Sequence, residues 1–100
     1  MATVTKALAR TAAATSSTTL YTVPSATTTV VSNIVVTNTA GSAGTFTLLL
    51  DDVSIATTVS VGANDSTIID LKQVLATTKT IKGFASATTI NFHISGVEIA

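Results

Sequence analysis

Few residues in this chain are equipped for chemistry. His93 is the only histidine and there is no cysteine. It lies in "INFHISGVEIA", where Ile90, Phe92 and Ile94 alternate with Asn91, His93 and Ser95. The alternation points His93 away from the core. A metal ligand or general base needs partners, and neither a second histidine nor a thiolate exists to supply them. His93 therefore reads as a polar residue on an outer strand face. The carboxylates are Asp51, Asp52, Asp65, Asp70 and Glu98. Calcium takes about 6–8 oxygen ligands, and the aspartate spacing matches no EF-hand loop. Asp51–Asp52 and the Asp65 of "GAND" fit turns, where aspartate tolerates the backbone geometry. The many hydroxyls include no G-x-S-x-G elbow and no phosphate-binding glycine loop. We assign no catalytic residue, metal ligand or cofactor, and expect no enzymatic activity.

The elements that would carry these residues are strands. The chain has 22 threonines among 100 residues and many valines and isoleucines, a β-branched composition that favours extended backbone. Thr19–Val23 is a strand ended by the single proline, Pro24. Residues 28–38, "TTVVSNIVVTN", are apolar on both faces, which marks a central strand or one covered from outside. Residues 39–44 form a flexible loop. Residues 45–61 form a β-hairpin turning at Asp51–Asp52, with Phe46, Leu48 and Leu50 on one face. In its second strand Val53, Ile55, Val59 and Val61 are expected inward, and Ser54, Ala56, Thr58 and Ser60 outward. "STIIDL" is a further strand, and "KQVLATT" has room for one helical turn.

The last strand runs from about Thr89 to Ile99. Its apolar residues move from even to odd positions after Gly96, since Val97 and Ile99 follow Ile90, Phe92 and Ile94. One extra residue in a strand moves later side chains to the opposite face. We expect a β-bulge at Ser95–Gly96, with glycine in the left-handed conformation and Val97 and Ile99 returned to the core. Strands recurring every 8–12 residues predict one antiparallel β-sandwich over residues 18–100, Ig-like or jelly-roll-like, with about seven to eight short strands. Residues 1–17 are poor in large apolar groups and are expected to form an arm. Only Val4 and Leu8 could anchor a short helix around Lys6–Ala13.

Composition narrows the partners. Charged residues make up 10% of the chain, against about 25% in ordinary soluble domains, and they balance to zero. Such a surface resists association poorly. Lys6, Arg10, Lys72, Lys79 and Lys82 are scattered, which argues against nucleic acid. No apolar run approaches the roughly 20 residues a membrane helix needs, and the N-terminus does not read as a signal peptide. Short uncharged Thr and Ser side chains on outer strand faces suit burial in a contact.

The phrases "LYTVPSATTTVVSNIVVTNTAGSAGTFTLLL", "VGANDSTIIDLKQVL" and "TIKGFASATTINFHISGVEI" resemble small β structural proteins of tailed bacteriophages. The resemblance covers about residues 18–99. It implies a non-enzymatic virion component, assembled in the host cytoplasm, with a capsid cement or decoration protein as first expectation. It further implies a homo-oligomer, a trimer first, bound to the major capsid protein or another virion protein. A tail, neck or fibre-attachment component is the alternative. A carbohydrate-binding β-sandwich module is the second, opposed by the internal placement expected for Phe46 and Phe92, which leaves Tyr21 and Phe84 as exposed aromatics.

Overall fold

A computed structural model describes residues 2–100. They form eight strands: β1 Thr3–Ala12, β2 Thr18–Thr22, β3 Thr28–Asn38, β4 Gly44–Leu50, β5 Val53–Val61, β6 Ser66–Leu75, β7 Thr80–Ala85 and β8 Ile90–Ile99. Two four-stranded sheets result, β1-β8-β3-β6 (sheet I) and β2-β7-β4-β5 (sheet II). All pairings are antiparallel. The pairs β1·β8, β2·β7, β3·β6 and β4·β5 nest inside one another. The chain is thus one long hairpin folded over on itself, and β8·β3 and β7·β4 close the two sheets. This nesting over eight strands is the jelly-roll arrangement of a β-sandwich.

The core lies between the sheets. Val31, Ile34 and Val36 of β3 and Ile90, Phe92 and Ile94 of β8 meet Phe46 and Leu48 of β4 and Ile81 of β7, all almost fully buried. Phe46 and Phe92 meet edge-to-face across the sheets at 6.2 Å and 73°. Such a pair contributes about 0.5–1.5 kcal/mol beyond its area.

Several local expectations are corrected. Residues 3–12 are neither an arm nor a helix but an edge strand paired with β8 from Thr3↔Ile99 to Ala12↔Asn91. Leu8 and Ala13 enter the core. Backbone pairing with a central strand compensates for the scarcity of large apolar groups. Met1, the first residue of the expected arm, lies outside the described residues. Lys72–Leu75 continue β6 instead of forming a helical turn. The loop after β3 is tied down by buried Asn38, whose Nδ2 donates to the carbonyls of Ser42 (2.8 Å) and Val61 (3.2 Å) while its Oδ1 accepts from the Ala40 amide.

The bulge expected at Gly96 is not there. Gly96 has no positive φ. In β8 the even positions stay inward through Gly96 and Glu98, so Val97 and Ile99 stay outside. The irregularities lie on the flanking strands. Leu8 is the extra residue of β1, between Ala7↔Ser95 and Ala9↔Ile94. Ser32 is the extra residue of β3, between Val31↔Gly96 and Asn33↔Ser95. Glycine is required at 96 by crowding. A Cβ there would run into the Val30 carbonyl oxygen and sit 2.9 Å from Leu8 Cδ1. Sheet II repeats the device: Leu20 is the extra residue of β2, and a Cβ on Gly83 would lie 3.1 Å from Leu20 Cδ1.

The β4–β5 hairpin turns at Asp51 and Asp52, with φ of 53° and 61° and Leu50 opposite Val53. Two left-handed central residues make a type I′ turn, whose twist matches that of the strands. Within β5 the expected inward facing holds for Val59 and Val61 and is overturned before them. Extra residues at Ile55 and around Thr58 (φ 49°) shift the register twice, burying Ala56 and leaving Val53 and Ile55 exposed. Pro24 follows β2 directly, after Val23 closes the strand with its amide on the Lys79 carbonyl.

Candidate functional surface

No chemical centre forms from the residues singled out above. His93 is exposed on the outer face of sheet I, between Arg10 of β1 and Val35 of β3. Asp51 and Asp52 pair with Lys79 (3.6 Å) and Lys82 (2.7 Å) at the hairpin tip. The Lys82 hydrogen bond holds the Asp52 carboxyl below its ordinary range. Asp65 caps the turn before β6 by accepting from the Ser66 amide, and Asp70 is exposed on β6. Among the described residues no three His, Cys, Asp or Glu side chains are grouped to hold a metal ion, and no helix is long and apolar enough to cross a membrane.

One polar cluster escaped sequence reasoning. Glu98, inward because β8 keeps its phase, accepts a hydrogen bond from the hydroxyl of Tyr21, which reaches across from sheet II at 2.5 Å. With its own proton spent there, the Tyr21 oxygen accepts from Thr29, 2.8 Å away and fully buried. Lys6 Nζ lies 3.3 Å from Glu98. Burial first, then the bond to Glu98, pushes the Tyr21 phenol up to about 12. The Tyr21 bond, opposed by partial burial, holds Glu98 below its ordinary value. The cluster is a strut between sheets: Tyr21 and Thr29 are buried, Glu98 is partly buried, and Lys6 lies at the surface. The signal in the sequence was the even position of Glu98, which continues the inward series.

What remains is surface, and its two broad faces differ. Cross-strand neighbours on the outside of sheet I form rows from β6 to β1: Ile68–Val35–His93–Arg10, then Asp70–Asn33–Ser95–Ala7, then Val74–Val30–Val97–Thr5. Ile68 and Val74 are each 68% exposed. The second face of β3, expected to be apolar from the sequence, is therefore flanked by further valines and an isoleucine, with no sheet over it. The outside of sheet II is mostly Thr and Ser. There Phe84, half-buried, borders a shallow groove of about 300 Å³ with Thr45, Thr47, Thr58 and Ser86.

Comparison with known proteins adds no relative: no family model matches the chain, and no curated sequence matches it.

Proposed function

We propose that this chain is a non-enzymatic structural protein of a bacteriophage virion, a capsid cement or decoration protein that associates with its own copies and bridges neighbouring major capsid subunits. The two apolar rows on the outer face of sheet I, Ile68–Val35 and Val74–Val30–Val97, carry the reading. Exposed large apolar side chains gathered on one face, here Ile68 and Val74 beside the valines of β3, mark interaction sites. The low charge and Thr-rich flanks support it, because short hydroxyl side chains lose little on burial once hydrogen-bonded. The role is mechanical: each added contact between shell subunits raises the work needed to separate them under internal pressure.

Purified particles test the proposal. Mass spectrometry is expected to find the chain in stoichiometric amounts, and cryo-electron microscopy to place its sandwich on the shell. Absence from particles would refute it. Density on the tail or neck would move the assignment to the tail-component alternative, for which the same face would serve. The carbohydrate-binding reading rests on Phe84 alone, since Tyr21 turns inward. A glycan array with no binding would end it.

A further inference from the structure

We infer that the free edge of β6 is a homotypic interface, on which two copies pair antiparallel about a two-fold axis through Leu71. The pairing deepens the self-association proposed above by naming its surface, and it stands or falls apart from the virion assignment.

Four strands are edges: β1 and β6 of sheet I, β2 and β5 of sheet II. An open edge presents unpaired N–H and C=O groups to any other strand, and proteins ordinarily blunt it with bulges, short length or charge. β1 changes phase at Leu8, β2 has five residues and changes phase at Leu20, and β5 changes phase twice. β6 is the one edge strand that keeps its inside–outside phase throughout. Over ten residues its even positions (Ser66, Ile68, Asp70, Lys72 and Val74) all stay exposed. Against β3 it sets Leu71 and Lys72 opposite the single Ser32, a two-for-one step that leaves its own inside–outside alternation intact.

The outward series of β6 is its own complement. With Leu71 opposite itself, Asp70 faces the partner's Lys72 and Lys72 faces the partner's Asp70. Ile68 faces the partner's Val74, and Val74 the partner's Ile68. Directly opposed residues of an antiparallel pair share a face, so opposite charges and apolar groups meet twice each. Charges that would repel a foreign strand thus select a second copy in one register. The two sheets fuse into one of eight strands. Its outer face carries the row Val35–Ile68 directly into the partner's Val74, which joins two apolar patches into one. A two-fold axis here and a three-fold axis elsewhere are compatible, since dihedral assemblies contain both.

Sedimentation velocity over a range of protein concentrations tests the edge, with Asp70→Lys, Lys72→Asp and the double exchange. Each single change sets like charges opposite one another twice and is expected to weaken dimerisation about tenfold; the double exchange is expected to restore it. Both residues are exposed, so an unchanged thermal midpoint separates this effect from misfolding. The register is checked by mixing Asp70→Cys chains with Lys72→Cys chains in an otherwise cysteine-free sequence. Oxidation is expected to link the two kinds to each other in preference to themselves. Monomer at every concentration, a dimer or trimer indifferent to the single changes, or indiscriminate cross-linking would each overturn the β6 interface. An indifferent oligomer would leave self-association standing on another surface.

Discussion

Replacing Tyr21 by phenylalanine removes one oxygen from the strut between the sheets. Thr29 then loses the side-chain partner its hydroxyl has among the described residues, in a site with no solvent exposure. A buried hydroxyl left without a partner costs about 1–3 kcal/mol. Glu98 retains Lys6, so the carboxylate is not abandoned. We expect Tyr21→Phe to lower the unfolding free energy by about 2–3 kcal/mol at neutral pH, read from urea denaturation. In a Thr29→Val background the orphaned hydroxyl is gone, and the loss is expected to shrink by about 1 kcal/mol. The pH dependence isolates each partner. Glu98 is depressed when folded, so its contribution is complete above its unfolded value of 4.5 and is lost as pH falls through the lower folded value. The penalty of Tyr21→Phe is therefore expected to diminish in acid. The Tyr21 phenol is raised from 10.0 to about 12, so its contribution is complete below pH 10 and is lost as pH rises from there through 12. Two units correspond to about 3 kcal/mol, a loss that Tyr21→Phe should not show. A neutral substitution, or a penalty identical at pH 3 and pH 7, would refute the strut.

Gly96→Ala is expected to cost about 1–3 kcal/mol in denaturant unfolding, since the added methyl meets the Val30 carbonyl and Leu8; Leu8→Ala should relieve only part of this, because the carbonyl remains. Asn38→Ala should cost about 2–4 kcal/mol in the same assay by leaving buried backbone groups of the 39–43 loop and β5 without partners. Deleting residues 1–17 should abolish cooperative folding by circular dichroism, because it strips the pairing partner from β8 and takes Leu8 and Ala13 from the core. His93→Gln should leave the unfolding free energy within about 0.5 kcal/mol, as expected of an exposed side chain without a catalytic partner.

Strand positions were legible because β-branched runs and turn residues are local signals. Ile34, Val36 and Phe92 are inside as the alternation suggests, whereas Val31 joins them only because the extra residue Ser32 shifts the phase of β3. Bulges were not legible, because register belongs to two strands at once. β5 alternates without fault from Val53 to Val61, yet two extra residues against β4 reverse part of it. β8 slips in its residue pattern but not in space, because Gly96 makes room for Leu8 and Glu98 finds Tyr21. β1 was missed for a different reason. It has little to bury, and what holds it is the backbone of the last strand, from Asn91 to Ile99, at the other end of the sequence. The candidate surface was half legible. The second apolar face of β3 could be read directly, but its valine and isoleucine neighbours on β6 and β8 became neighbours only through the nesting of the hairpin.

That nesting also sets the order in which the chain can mature. β8 is made after every other strand, yet it occupies the interior of sheet I, between β1 and β3. Until it arrives, β1 has no neighbour to hydrogen-bond, β3 has one open side, and the apolar inner faces of β3 and β4 have no finished cover. Folding that depends on such distant pairings is slow, and unfinished chains expose strand edges in the meantime. The closing step also brings Ala2 and Ala100 together through reciprocal amide–carbonyl bonds of 3.0 and 2.8 Å. Sheet II and the β3·β6 pair can form before β8 is made, but sheet I is completed only by the late insertion of β8 between β1 and β3.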